Sequence, residues 1–277
     1  MAKTGHVKSR TTDGAAAFTA ILEHPREAVI ALDFDGTLAP IVDDPAAARA
    51  HPDAPAALAR LAPRVNAVAI ITGRPAALAV EYGGFAQISG LVVLGQYGAE
   101  RWAAGRLSSP EPPPGVAEVR AKLPRILEAA GAPEGTSIED KGNALAVHTR
   151  RAAEPQVAID RLRGVVAALA ERTGLAVEPG RYVLELRPPG MDKGGALRAF
   201  VAERSATAVL YAGDDLGDLA AFAAVEEMRG QGVAGVTVCS SSDEVTVLAE
   251  RADMVVDGPP GVVALLTALA TDLGAPS

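Results

Sequence analysis

Six apolar stretches punctuate the two ends of the chain, at residues 28–33, 65–71, 91–95, 207–212, 233–239 and 253–256. They are apolar nearly throughout rather than alternating, the pattern of strands in a parallel sheet covered on both faces. Between and after them, apolar positions recur at helical spacing over 53–62, 75–82, 192–203, 215–228, 242–251 and 261–272. Strand–helix alternation with short connections predicts an open α/β sheet with helices on both sides.

The middle of the chain breaks this rhythm. Proline-rich joins at 110–115 (PEPPPG) and 187–190 (RPPG) bracket a helix pattern over 116–130, strand patterns at 136–140 and 144–149, a helix over 154–173 and strands at 175–178 and 181–187. Strands 144–149 and 181–187 alternate more than those of the first half, which suits a sheet with one wet face. The pattern predicts an α+β module over 110–189, inserted into an α/β domain made of 28–109 and 190–277. Ahead of that domain, residues 1–27 read as a polar tail (1–14) and a short helix (15–24).

Composition narrows the partners. With 277 residues and 49% hydrophobic content, the chain can bury one large core and a second, smaller one. It lacks a run of roughly 18 apolar residues that could span a bilayer, and its start, MAKTGHVKSRTTDG, lacks the apolar segment of a secretory signal. The expectation is a cytoplasmic soluble protein with no membrane partner, a monomer being favoured. Net charge is −8, the sequence pI is about 5.1 and aromatics make up 4%, which argues against nucleic acid as a partner. Cys239, the only cysteine, allows no disulfide and no cysteine-built zinc site. The four histidines, His6, His24, His51 and His148, show no metal-ligand spacing.

In open α/β sheets ligands bind beyond the carboxyl ends of the strands, and four polar clusters fall at such ends. Asp33-x-Asp35-Gly36-Thr37 offers a carboxylate nucleophile with a proton-transferring neighbour, or simply an aspartate-capped turn. An EF-hand reading fails, because Phe34 and Leu38 take polar positions and no glutamate closes the loop. Thr72-Gly73-Arg74-Pro75 opens a helix and suits an anion or a plain cap. Asp192-Lys193-Gly194 begins another helix with a cation that opposes the macrodipole, which suggests an anion nearby. Gly213-Asp214-Asp215-Leu216-Gly217-Asp218 gathers three carboxylates at a strand-to-helix turn, as oxygen ligands for Mg²⁺ or as dipole complements. The stretch 230–235 matches GxGxxG but follows a helix and precedes a strand, the reverse of a dinucleotide-binding turn.

In their order along the chain, these four clusters resemble the haloacid dehalogenase superfamily of phosphotransferases. The inserted module narrows the likeness. Ile138-Glu139-Asp140-Lys141-Gly142-Asn143, Val147-His148-Thr149-Arg150 and Leu184-Glu185-Leu186-Arg187 are similar to the cap of trehalose-6-phosphate phosphatases, and Gly95-Gln96-Tyr97-Gly98-Ala99-Glu100 is similar to another stretch of that family. One position departs from it: Gly217 stands where a threonine is usual. The resemblance implies a Rossmann-like parallel core sandwiched by helices, with an α+β cap. It implies Asp33 as nucleophile through an aspartyl-phosphate, Asp35 as general acid and base, and Thr72 and Lys193 on the transferring oxygens. It further implies Mg²⁺ held by Asp33, the Asp35 carbonyl and Asp214, with Asp215 and Asp218 joining directly or through water. Gly73, Arg74, Gln96, Tyr97, Glu100, Glu139, Lys141, Asn143, His148, Arg150 and Glu185 are the candidate substrate contacts, for a phosphosugar of trehalose type. Two other functions stand beside it: a capped phosphatase or phosphomutase for another phosphosugar (sucrose or mannose type), and a non-catalytic sugar-phosphate sensor.

Overall fold

The computed structural model describes residues 9–42, 44–241 and 246–274; the expected tail over 1–8 and the first residues of the helix expected from 242 lie outside them. The chain forms two compact units, one of residues up to Ser109 and from Asp192 onward, the other Pro110–Met191. The first unit begins with α1 (Thr12–Glu23), β1 (Ala28–Leu32), α2 (Ala54–Leu61), β2 (Ala67–Ile71), α3 (Ala76–Gly83), β3 (Leu91–Gly95), β4 (Glu100–Ala103) and β5 (Arg106–Ser108). The second comprises α4 (Pro114–Ala129), β6 (Ser137–Asp140), β7 (Leu145–His148), α5 (Pro155–Thr173), β8 (Ala176–Gly180) and β9 (Val183–Arg187). The chain then returns to the first unit with α6 (Lys193–Glu203), β10 (Ala208–Gly213), α7 (Leu219–Gly230), β11 (Ala234–Ser241), α8 (Thr246–Arg251), β12 (Met254–Asp257) and α9 (Gly258–Asp272).

The sheet of the first unit runs β12-β11-β10-β1-β2-β3-β4-β5. Its six central and leading strands pair in parallel, and β4 and β5 are antiparallel. Successive residues of β1 enter opposite cores, which is why the run is apolar throughout. Ile30 and Leu32 pack with Phe18 and Ile21 of α1, Leu58 of α2 and Leu266 of α9. Val29 and Ala31 pack with Leu197 and Phe200 of α6 and Phe222 of α7. Because β1 pairs with β2 on one side and β10 on the other, the chain order reverses at β1. The carboxyl ends of these three strands, followed by Asp33, Thr72 and Asp214, flank that switch point.

The β4–β5 hairpin is absent from the apolar pattern. Its turn, Ala104-Gly105, has φ of 49° and 76°, the left-handed pair that hairpin turns favour with Asn-Gly or Asp-Gly; an alanine there hides the signal. Other elements differ at their ends. Helix α1 starts three residues early because the Thr11 side chain accepts from the Gly14 amide. Helix α7 starts late because Leu216–Asp218 form a 3-10 turn, and α9 starts early with Pro259 and Pro260 in its first turn. Residues 230–235 form the loop between α7 and β11. No helix among the described residues is long and apolar enough to cross a membrane.

The second unit is an antiparallel sheet in the order β6-β7-β9-β8. Leu145, Val147, Leu184 and Leu186 face a core shared with Val119 and Leu123 of α4 and Leu162 and Val166 of α5. Ala146 and Glu185, which alternate with them on β7 and β9, fall in one cross-strand row with Glu139 of β6 and Glu178 of β8 on the other face.

Candidate active site

Asp33 leaves β1 with its amide still in the ladder, donating to Ala212 O at 2.9 Å. Phe34 turns into the core and meets Phe85 edge-on at 6.1 Å, which anchors the loop between the two aspartates. Gly36 has φ +72°, and a Cβ there would lie 1.9 Å from Asp214 Oδ2. Only glycine lets the loop after β1 approach the loop after β10 so closely. Two further bonds close the gap: Thr37 Oγ1 donates to Asp214 Oδ1 (3.4 Å), and Ser240 Oγ donates to Gly36 O (2.7 Å).

Lys193, the first residue of α6, is buried. Its ammonium lies 2.9 Å from Asp33 Oδ1, 2.8 Å from Asp218 Oδ1 and 3.9 Å from Asp215 Oδ1. These carboxylates explain how a cation is tolerated in a first helical turn. Asp192 caps the helix by accepting from the Gly195 amide at 2.7 Å. Asp218 is engaged on both oxygens. Oδ1 also accepts from the buried Tyr211 hydroxyl at 2.5 Å, and Oδ2 accepts the amides of Asp214 (2.9 Å) and Asp215 (3.1 Å).

This crowding sets the charge states. Burial pushes the Asp33 carboxyl well above the usual range; Lys193 opposes the shift while Asp218 and Asp214 add to it. Burial, with Asp218 and Asp215, pushes Asp214 up to about 8. Burial also works against ionised Asp218, yet the charge and hydrogen bond of Lys193 and the Tyr211 hydroxyl outweigh it and hold that carboxyl below its ordinary value. Lys193 is raised despite its burial, by Asp218, Asp33 and Asp215. Three carboxylates, those of Asp33, Asp215 and Asp218, thus lie within 4 Å of one ammonium, with Asp214 beside them. Asp33, Asp214 and Asp218 each offer an oxygen, all within 4.8 Å of one another. A buried, all-oxygen set with surplus negative charge fits a small divalent cation such as Mg²⁺.

Thr72 follows β2 and is buried; its hydroxyl accepts the Arg74 amide at 3.1 Å. The Arg74 guanidinium holds both oxygens of Asp35 at 2.7 Å, donates a third bond to Pro45 O at 2.8 Å, and lies over the Phe34 and Tyr82 rings. Glu100 turns toward the chain itself: its Oε2 accepts the Ala76 amide (2.7 Å) and its Oε1 the Gln96 side-chain amide (3.2 Å).

In the second unit, His148 Nε2 meets Glu139 Oε2 at 2.8 Å, and Lys141 Nζ donates to Glu185 Oε2 at 2.7 Å. The His148 hydrogen bond draws the Glu139 carboxyl below its ordinary value against its burial. Asn143 is buried in the β6–β7 turn, and Arg150 is exposed just beyond β7.

A family profile described as trehalose-phosphatase matches residues 31–257. The chain belongs to the trehalose-phosphatase family. It is 35% identical over 263 residues to the trehalose-phosphate phosphatase of Mycobacterium marinum, a match that covers 90% of this chain and 63% of that protein; the chain therefore spans about two-thirds or less of such a relative. Among solved structures, the C-terminal domain of the C. albicans trehalose-6-phosphate phosphatase superposes with a TM-score of 0.72 at 23% identity, covering 96% of this chain and 99% of that one. A haloacid dehalogenase-like hydrolase from Bacteroides thetaiotaomicron gives 0.61 at 16% identity, covering 87% and 98%. These likenesses are of fold, and the core is haloacid dehalogenase-like.

For a member of the trehalose-phosphatase family, the expected core residues converge: Asp33, Asp214, Asp215, Asp218 and Lys193 form one cluster. Asp35 and Arg74 form a pair beside it. Gln96, Tyr97 and Glu100 pack against the Thr72–Arg74 turn. The cap candidates Glu139, His148, Lys141 and Glu185 form two pairs within their own unit. The sequence reading gave no role to Tyr211 or to Thr37, the last residue of the first polar cluster. Tyr211 looks like one more apolar strand residue, and its role depends on Asp218, seven positions on in the chain, folding back beneath it.

Proposed function

We propose that this chain is a Mg²⁺-dependent phosphatase that hydrolyses trehalose 6-phosphate through an aspartyl-phosphate. The observation that carries the reading is the buried Asp33 carboxylate, held 2.9 Å from Lys193 at the sheet's switch point, in a chain of the trehalose-phosphatase family.

Asp33 attacks phosphorus, and the bond to the sugar oxygen breaks as the new phosphorus–oxygen bond forms. Lys193 and the Thr72 hydroxyl bind the transferring oxygens. Asp35 gives a proton to the departing sugar oxygen and then takes one from the water that hydrolyses the aspartyl-phosphate. Both Asp35 oxygens accept from Arg74, which orients the carboxyl and leaves a second lone pair on each oxygen for the proton. Asp33, the Asp35 carbonyl and Asp214 would hold Mg²⁺, which when bound neutralises charge on the phosphoryl group. Asp215 borders this set, and Asp218 orients Lys193 and the Asp214 and Asp215 amides. Glu139, Lys141, Asn143, His148, Arg150 and Glu185 read the sugar hydroxyls. Carboxylates and amines discriminate such patterns strongly, because a mismatched hydroxyl leaves them unpaired.

Phosphate release measured across trehalose, sucrose, mannose and glucose phosphates, with and without Mg²⁺, tests the reading. The expected result is metal-dependent turnover with trehalose 6-phosphate preferred. A preference for another sugar would move the substrate assignment, and metal-independent turnover would remove the mechanism.

A further inference from the structure

Residues 95–100 contain a turn built of successive left-handed residues. Gln96, Tyr97 and Gly98 have φ of 47°, 58° and 92° in succession, although neither Gln nor Tyr favours the left-handed region. Their amides hold the neighbouring turn: Gln96 N donates to Arg74 O and Tyr97 N donates to Thr72 O, both at 2.9 Å. The Tyr97 ring closes over the middle of that turn, since a Cβ on Gly73 would lie 2.7 Å from the Tyr97 hydroxyl. Thr72, Gly73 and Arg74 are thus clasped by the segment that follows β3.

Glu100 ties the clasp at both ends. Helix α3 begins after Pro75, which offers no side-chain cap. The Glu100 carboxylate, from β4, supplies that cap by accepting the Ala76 amide, and its other oxygen holds the Gln96 side chain. One half-buried carboxylate therefore ties the start of α3 to the strained turn, whose own amides hold the carbonyls of Thr72 and Arg74. Removing it frees α3's first turn and the residues that force Gln96 and Tyr97 left-handed.

We propose that Glu100 is a positioning residue for the Thr72 anion pocket and makes no contact with the sugar. The assignment rests on the phosphatase reading above and gives that site a supporting element. Glu100→Ala is expected to weaken competitive inhibition by inorganic phosphate about tenfold, the scale of one lost hydrogen bond to a backbone amide. Hydrolysis of a simple aryl phosphate, which carries no sugar, falls in parallel, while inhibition by trehalose stays within about twofold of wild type. Glu100→Gln keeps an acceptor for the Ala76 amide and restores phosphate affinity. If Glu100→Ala does not fold, the double variant Pro75→Ser, Glu100→Ala gives α3 its own cap and is expected to fold with near-native phosphate affinity. Loss of trehalose inhibition with phosphate inhibition intact would make Glu100 a sugar ligand and overturn the proposal. So would a folded double variant that still binds phosphate weakly, or no change in either constant. If wild type binds phosphate but not trehalose, the substrate reading fails while the phosphate and aryl-phosphate results still decide the role of Glu100.

Discussion

Asp33 illustrates how a reactive group is held against its own preference. Burial and two neighbouring carboxylates raise its proton affinity, and among the described residues Lys193 is the cation that opposes them at contact distance. Asp33→Asn removes the proposed nucleophile and one of the crowded carboxyls at once. Turnover is expected to fall by roughly 10⁴-fold or more, as when a nucleophile is deleted elsewhere. The melting temperature is not expected to fall, because Lys193 keeps its 2.8 Å contact with Asp218. Residual turnover near wild type, followed by phosphate release, would show that another group attacks phosphorus. DxDGT by itself offered this residue as a candidate nucleophile or a turn cap, and the order of all four clusters favoured the nucleophile. What stands around it was not legible, because Tyr211 reads as one more apolar strand residue and acts only through the Asp218 side chain that the fold brings near.

Helix α1 shows the same contrast one level up. Its apolar positions, with Ala17, Phe18 and Ile21 buried, predict a helix, but not that its N-terminus is tied to the far end of the chain. Thr11 Oγ1 donates to Asp253 Oδ1 at 2.5 Å, and the other Asp253 oxygen takes the Thr237 amide and hydroxyl and the Arg229 guanidinium. Burial works against the ionised form, yet these donors hold the Asp253 carboxyl below its ordinary value. A carboxyl lowered on folding stabilises the protein above the unfolded value of about 3.9, and that contribution is lost as pH falls through the lower folded value. Asp253→Asn is expected to cost about 1–3 kcal/mol at neutral pH, with the difference from wild type shrinking on acidification. Urea titrations at several pH values measure both, and a cost that does not change with pH would assign the loss to packing. The β4–β5 hairpin is the opposite case, an element hidden by an alanine in a turn that usually announces itself with asparagine or aspartate.

For the whole molecule the decisive quantity is charge balance around the switch point. Asp33, Asp215 and Asp218 lie within 4 Å of one ammonium and Asp214 clusters with Asp33 and Asp218, so a ligand that supplies positive charge stabilises the folded state. Mg²⁺ at a hundred times its dissociation constant is expected to add about 2.7 kcal/mol to stability. The accompanying rise in melting temperature should be reversed by chelation and largely abolished in Asp214→Asn. Calorimetry in which Mg²⁺ leaves the transition unmoved would show that these carboxylates serve Lys193 alone.

The sequence by itself determined the alternation of strands and helices, the inserted module and the order of the polar clusters. These follow from local periodicity and from which residue types end each apolar run. Only the tertiary structure decided which carboxylate does what. Asp214 and Asp218 stand four residues apart with the same side chain, yet one lies against Gly36 and Thr37 while the other is saturated by Lys193, Tyr211 and two amides. Glu100 stands in the chain as one of the candidate substrate contacts, and the fold shows its carboxylate capping a helix. A side chain's type fixes the bonds it can make, whereas its partners are fixed by the strands and turns that packing brings within 3 Å of it.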